Sequence, residues 1–315
     1  MALNYELIGK PLAEIVDKNN KTDKNKKIVS MAEDFELDKV KNPMTHIDLP
    51  SNQFFQQVPD IKNKRQILYT SGKSGSGKTY YTAEYVKKYI KQNPKNRVIV
   101  FSSLDSDATL DDIKQIKRVK VKTPGFCNEE FVIDQFKDCL VIFDDTDCIQ
   151  DRNIIRQISN IADIVLQTGR HTNTSMIFTS HLSCAGNATK MILNESHAII
   201  FFPSSMTPHS LKYLALTYIG LDSKQVKLIQ KEKSRWMCSF KSCPSVLMTL
   251  NKICFASDYG QRQNVTNDDG QTTAPIFEEP TYKSNDKYKC KICGAKVLYR
   301  NRDRHEETVK HLKSA

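Results

Sequence analysis

The chain has 315 residues, 39% of them hydrophobic and 26% charged, with a formal net charge of +11 and a pI of about 9.1. That length has room for one α/β domain with a full core and something smaller beside it. The longest apolar runs, residues 140–143 and 198–202, are far too short to span a bilayer, which excludes a helical membrane protein. The nine cysteines are scattered, and the start, Met1-Ala2-Leu3-Asn4-Tyr5-Glu6, lacks the apolar core of a secretory signal. The expectation is an intracellular, reduced chain without a disulfide framework.

The charge is unevenly placed. Residues 1–65 are nearly neutral, 66–256 carry a net +8, 257–286 a net −4 and 287–315 a net +6. A basic body and a basic tail suit a polyanionic partner, and a solvated lysine-rich surface is the plainer alternative.

Residues 1–60 are weakly patterned, and the lysine/asparagine run at 17–27 reads as mobile. The domain proper is expected over 61–256. Its first strand is Gln66-Ile67-Leu68-Tyr69-Thr70. Directly after it, Gly72-Lys73-Ser74-Gly75-Ser76-Gly77-Lys78-Thr79 matches G-x-x-x-x-G-K-[ST] in full. Ala83, Val86, Tyr89 and Ile90 then recur at helical spacing until Asn93-Pro94 ends the helix. Strand, glycine loop and helix form a phosphate site, because the glycines let backbone N–H groups close around phosphates at a helix N-terminus. The residues from Gly72 to Thr79, with Tyr80 after them, are the candidate nucleotide contacts. Lys78 is placed to reach the β- and γ-phosphates, and Thr79 to hold Mg²⁺.

A second strand is expected at 97–102 and a short basic one at 118–122. Leu140-Val141-Ile142-Phe143 followed by Asp144-Asp145 has the Walker B pattern. Asp144 is the candidate Mg²⁺ ligand and Asp145 the group that activates the attacking water; capping of a following helix is the alternative for Asp145. Guanine specificity is disfavoured, since the one Asn-Lys-x-Asp, at 20–23, precedes the glycine loop instead of following it.

A helix over 151–167 places Ile154, Ile158, Ile161 and Val165 on one face, with Gly169 as its cap. Strands follow at 175–179 and 198–202. Thr179-Ser180-His181 ends the first of them, where open α/β sheets place ligands. His181 is therefore a candidate γ-phosphate sensor, or a capped polar strand end. Arg170 is a candidate arginine finger reaching a neighbouring subunit, or a surface arginine at a helix C-terminus. Residues 207–232 read as helical, 234–256 as closing strands, and 257–286 as a linker. Alternating strands and helices predict a mostly parallel sheet covered on both faces.

In order and spacing, the glycine loop, the apolar strand ending in Asp144-Asp145 and the segment Gly169-Arg170-His171-Thr172-Asn173-Thr174-Ser175 through Ser180-His181 resemble the viral genome-packaging ATPases of the FtsK/HerA P-loop superfamily. The poxvirus and giant-virus enzymes are the nearest type, and the likeness covers about residues 61–205. It implies a P-loop NTPase fold and Walker A roles for Lys78 and Thr79. It implies Walker B roles for Asp144 and Asp145, and a homo-oligomeric ring around double-stranded DNA. His181 falls where that family usually has a sensor glutamine.

At the C-terminus, Cys290, Cys293, His305 and His311 form C-x₂-C-x₁₁-H-x₅-H, a donor set for tetrahedral Zn²⁺. Residues 287–315 are thus expected to be a small ββα-like zinc finger, unfolded without metal. The spacing resembles U1-type nucleic-acid-binding fingers; protein docking, to a capsid or portal component, is the alternative.

The expected function is an ATP-hydrolysing DNA translocase that packages a viral double-stranded DNA genome, in host cytoplasm, viral factory or virion. A nucleotide-switched nucleic-acid-binding regulator and a P-loop kinase are the rivals. The kinase is disfavoured because residues 203–232 contain no lid arginine.

Overall fold

The computed structural model describes residues 1–19, 27–60, 62–63, 65–123, 125–184, 187–260, 287–289 and 296–298. The chain divides into two compact units, residues 1–261 and 262–315.

In the first unit the elements run β1 (Ala2–Asn4), β2 (Lys10–Asp17), β3 (Ile28–Ala32), β4 (His46–Asp48), β5 (Gln53–Gln57) and β6 (Ile67–Ser71). Next come α1 (Lys78–Gln92), β7 (Arg97–Ser102), α2 (Ala108–Asp111), β8 (Ile116–Val119), β9 (Cys139–Asp144), α3 (Arg152–Thr168) and β10 (Ser175–Ser180). The unit closes with α4 (Asn187–Glu195), β11 (Ala198–Phe201), α5 (Pro208–Leu214), α6 (Ser223–Gln230), β12 (Met237–Phe240), β13 (Val246–Met248) and β14 (Lys252–Phe255). The strands and helices expected over 66–256 are present, with ends shifted by up to three residues.

Ten strands form the central sheet, in the order β4-β14-β13-β12-β11-β6-β10-β9-β7-β8. From β11 to β8 every pairing is parallel. From β11 to β4 every pairing is antiparallel. The mostly parallel sheet expected from the sequence thus carries an antiparallel wing. Within it β12, β13 and β14 are joined by turns of a few residues, too short for the crossover that parallel neighbours need.

Both faces of the sheet are buried, and the two-residue period of the strands decides which side chain goes where. Cys139, Val141 and Phe143 of β9 pack into a core with α3, α5 and α6. Leu140 and Ile142 of the same strand pack into the opposite core with α1. Helix α3 fits this scheme closely. Ile154, Ile158, Ile161 and Val165 are all buried, and Asp151 caps its start by accepting from the Asn153 and Ile154 N–H groups.

The largest departure from expectation is at the N-terminus. Residues 1–60 are not a weakly patterned segment outside the α/β domain. They build a second, antiparallel sheet in the order β1-β3-β2-β5, and they lend β4 to the edge of the central sheet. Leu3, Leu12, Val29 and Phe55 are fully buried in the core that includes Tyr85, Val86 and Tyr89 of α1. The pattern was obscured by a bulge between Pro11 and Ala13, which places adjacent Leu12 and Ala13 both inside. Of the expected mobile run at 17–27, residues 20–26 lie outside the described residues.

In the second unit the described residues form one antiparallel pair, β15 (Lys287–Lys289) with β16 (Lys296–Leu298), Tyr288 opposite Val297. The linker from residue 261 and the positions of Cys290, Cys293, His305 and His311 lie outside the described residues.

Phe55→Ala tests whether the N-terminal sheet is integral. Truncating a fully buried phenylalanine costs about 3–5 kcal/mol, so the urea midpoint of the whole first unit should fall. A loss under ~0.5 kcal/mol, the scale of a surface change, would mean that the sheet is only loosely attached.

Candidate nucleotide site

The loop between β6 and α1 is shaped by its glycines. Gly75 and Gly77 have φ of +75° and +112°, which side-chain-bearing residues rarely adopt. Gly72 is required for space: a Cβ there would lie 2.7 Å from Ser76 Oγ and 3.0 Å from Phe202. Its N–H donates to the Ser180 carbonyl at 3.1 Å, tying the loop's start to the end of β10. Among the described residues the Ser71 and Ser76 hydroxyls are buried without a protein partner, and such groups call for a polar ligand or water. A narrow cradle with open hydroxyls at a helix N-terminus fits a phosphate chain.

Parallel register then assembles the rest. Ser102 of β7 stands beside Asp144, Phe143 beside Phe178 of β10, and Ser180 of β10 beside Ser71. The carboxyl ends of β9, β6 and β10 therefore meet at the loop. Lys78 is 4% exposed, and its ammonium lies 3.3 Å from Asp145 Oδ1. Asp145 itself is held in the left-handed region, at φ +49°. It starts a short 3₁₀ turn but makes no side-chain cap, so the helix-capping alternative is not what the geometry shows.

Thr179 organises the two carboxylates. Its hydroxyl accepts the Asp145 N–H at 2.9 Å and lies 3.1 Å from Asp144 Oδ1 and 3.3 Å from Asp145 Oδ1. A hydroxyl has one proton, so it can satisfy only one of these oxygens at a time, and Asp144 is the nearer. Burial, and then the neighbouring charge of Asp145, push the Asp144 carboxyl up to about 6. A carboxylate made costly in this way is a good place for a divalent cation, whose charge favours the ionised form.

His181 is brought to the same place. Its Nε2 faces Asp145 Oδ2 at 3.6 Å, and its Nδ1 is 3.2 Å from both Asp147 Oδ1 and Cys148 Sγ. Asp147 fixes the histidine, because its Oδ2 accepts from the His181 N–H at 2.7 Å and from the Ser180 hydroxyl at 2.9 Å. Against burial, these hydrogen bonds hold the Asp147 carboxyl below its ordinary range.

Lys73, Ser74 and Gly75 are exposed on the loop, Thr79 is half-buried, and Tyr80 is exposed. Arg170 is not brought to the site of its own chain. It is exposed, and it precedes β10 at the end of that strand opposite Ser180 and the loop. Arg235 carried no sequence signal, yet its Nε donates to the Ser76 carbonyl at 2.9 Å and its Nη2 to that of Gly75 at 3.4 Å. Asp147 was equally unmarked, since nothing local pairs it with a histidine 34 positions away.

A mostly parallel sheet with a glycine loop after β6, and carboxylates at the end of β9 two places away, is a mixed α/β fold of the P-loop NTPase kind. No protein-family model matches the chain. It is 34% identical over 218 residues to "Uncharacterized protein V3" of Sputnik virophage, a match covering 69% of this chain and 85% of that one. The chain belongs to the family of that virophage protein. Among solved structures it is similar to B204, the DNA-packaging ATPase of Sulfolobus turreted icosahedral virus, at 17% identity and a TM-score of 0.41. That match covers 59% of this chain and 98% of B204. The cytoplasmic domain of the type VII secretion ATPase EccC of Thermomonospora curvata matches at 10% identity and a TM-score of 0.44, covering 66% and 28% of the two chains. Among the described residues no helix is long and apolar enough to cross a membrane.

Gly77→Ala should show how far the loop depends on its backbone. The left-handed conformation costs a non-glycine residue about 1–2 kcal/mol, and the new methyl would press within 3.2 Å of Arg235. Urea unfolding should register at least that loss, and an unchanged midpoint would show a loop that relaxes freely.

Proposed function

We propose that the chain is an ATP-hydrolysing motor that moves double-stranded DNA, packaging a viral genome. The observation that carries the hydrolytic part is the buried Lys78 ammonium 3.3 Å from Asp145, between the glycine loop and the carboxylate pair. Two supports point to DNA packaging. One is the ordered set of motifs from Gly72 to His181; the other is membership in a virophage family.

In this mechanism the backbone from Gly72 to Thr79 holds the phosphates, and Lys78 neutralises the β- and γ-oxygens. Thr79 and Asp144 would hold Mg²⁺, which neutralises charge on the transferring phosphoryl group. Asp145 accepts a proton from water as its oxygen bonds to the γ-phosphorus. The β–γ bridging bond breaks, leaving ADP and phosphate. Thr179 aims Asp145, and His181, fixed by Asp147, reports on the γ-phosphate. Arg170 serves the site of an adjacent subunit in a ring. Cys290, Cys293, His305 and His311 would hold Zn²⁺, and residues 287–315 would then supply a basic nucleic-acid contact.

Steady-state turnover tests the first part. Lys78→Ala should abolish hydrolysis and weaken nucleotide binding, whereas Asp145→Asn should keep binding and lose turnover. Arg170→Ala should bind ATP normally yet turn over slowly, and regain activity when mixed with Lys78→Ala subunits. Parental rates in Asp145→Asn would remove it as the base, and failed complementation would remove Arg170. Binding without any hydrolysis in the parent chain would favour the nucleotide-switched regulator.

Deleting residues 287–315 should leave basal ATPase activity intact and remove one bound Zn²⁺. It should also lower duplex affinity most strongly at low salt, since the segment's net +6 displaces counterions. Unchanged affinity at low salt would shift the finger to protein docking.

A further inference from the structure

The turn after β9 and the end of β10 bring together three metal-ligand atoms of different kinds. Asp147 Oδ1 and Cys148 Sγ come from the 3₁₀ turn Thr146–Cys148, and His181 Nδ1 from the residue after β10. All three atoms lie within 4.8 Å of one another. We infer that they form a site for a Zn²⁺ ion, with donors other than those proposed for Mg²⁺, and that the ion restrains hydrolysis by fixing His181. The site is read from these side chains alone; its effect on turnover rests on the hydrolysis proposed above.

Spacing is the first argument. An ion with tetrahedral bonds of about 2.0–2.3 Å holds its ligand atoms roughly 3.3–3.6 Å apart. Here Nδ1 stands 3.2 Å from Oδ1 and 3.2 Å from Sγ, and Sγ stands 3.8 Å from Oδ1. That triangle is close in size to one face of such a tetrahedron. Asp147 and Cys148 are exposed and His181 is half-buried, so an ion has a way in and water can take the fourth position.

Support from behind is the second. Asp147 Oδ2 accepts from the His181 N–H at 2.7 Å and from the Ser180 hydroxyl at 2.9 Å, which turns Oδ1 toward the other two donors. Outer hydrogen bonds of this kind orient the carboxylates of metal sites. The ion would replace the contacts that Oδ1 makes with Nδ1 and Sγ and leave both Oδ2 bonds in place. Cys148 is a free thiol. As its sulfur bonds the ion, the thiol proton passes to solvent. Thiolate and carboxylate together then balance the two positive charges. Thiolate, imidazole and carboxylate suit Zn²⁺, whereas Mg²⁺ takes oxygen ligands in octahedral geometry.

The consequence for turnover follows from the histidine's other nitrogen. A neutral imidazole that gives Nδ1 to a metal keeps its one proton on Nε2. Nε2 faces Asp145 Oδ2 at 3.6 Å, and the Lys78 ammonium faces Asp145 Oδ1 at 3.3 Å. Asp145 would then have a donor at each oxygen, which favours its ionised form and weakens it as acceptor of a proton from water. A ring tethered to Zn²⁺ also cannot turn to follow the γ-phosphate.

The full chain carrying Cys290→Ser and Cys293→Ser, which removes the C-terminal thiolates, isolates this site for the test. Titrated with Co²⁺ as a spectroscopic stand-in for Zn²⁺, it should bind one ion per chain and show a thiolate-to-cobalt absorption band. Competing Zn²⁺ should remove the band. Adding Cys148→Ala should abolish it, and adding His181→Ala should weaken Co²⁺ binding at least about tenfold. In steady-state turnover with Mg²⁺ and ATP, micromolar Zn²⁺ should slow the isolated-site chain several-fold, reversibly on chelation, and leave the Cys148→Ala chain at its own metal-free rate. No band, or a band that survives Cys148→Ala, would overturn the site. Equal Zn²⁺ inhibition with and without Cys148 would overturn the restraint on hydrolysis. One bound Co²⁺ in a chain that hydrolyses no ATP would keep the site and sink the hydrolytic reading, and the restraint with it.

Discussion

One buried positive charge sets the terms for this fold. Lys78 is almost wholly shielded from water, and an ammonium in that position is costly unless an anion faces it closely. Asp145 faces it across 3.3 Å, at the end of a strand two places away in the sheet. The pair can meet only if β6, β10 and β9 lie in parallel register with their ends level, as the pairing of Ser180 with Ser71 and of Phe178 with Phe143 provides. Thr179, on the strand between them, then falls where one hydroxyl touches both aspartates. Sheet register and site chemistry are thus a single constraint.

What the sequence disclosed follows from how local each signal is. The glycine loop is contiguous, and its two positive-φ positions are both glycine, so loop and helix could be placed together. The strand ending in Asp144-Asp145 is an unbroken apolar run because it is buried on both faces. The contacts that complete the site are not local. Asp147 holds His181 from 34 positions away, and Arg235 reaches the loop from about 160. Neither lies in a periodic pattern or a motif, so nothing short of the fold could connect them. The Arg170 segment illustrates the converse. Its motif context was legible, but the structure puts it at the opposite end of β10 from the loop.

The N-terminal sheet was the larger omission, for a related reason. Its strands β1, β3 and β5 have only three to five residues; β1 and β3 are almost wholly buried while β2 and β5 are partly buried, so no one pattern marks the sheet. A bulge in β2 also breaks the alternation by which such half-buried strands are recognised. The same residues give the nucleotide-binding domain part of its core and one wall beside the loop, so what resembled an appendage is integral to it.

The pairing of β4 with β14 has a consequence for how the chain is made. His46 to Asp48 hydrogen-bond with Lys252 to Cys254, partners about 200 positions apart. During vectorial synthesis at roughly 5–20 residues per second, the first strand emerges ~10–40 s before its partner. Through that interval β4 has no place in the central sheet, and the antiparallel wing that should receive it does not yet exist. The nascent chain thus spends its early life with an unmatched strand edge, the kind that invites wrong pairing. The brevity of β4, three residues with a histidine and an aspartate at its ends, keeps that edge a poor template.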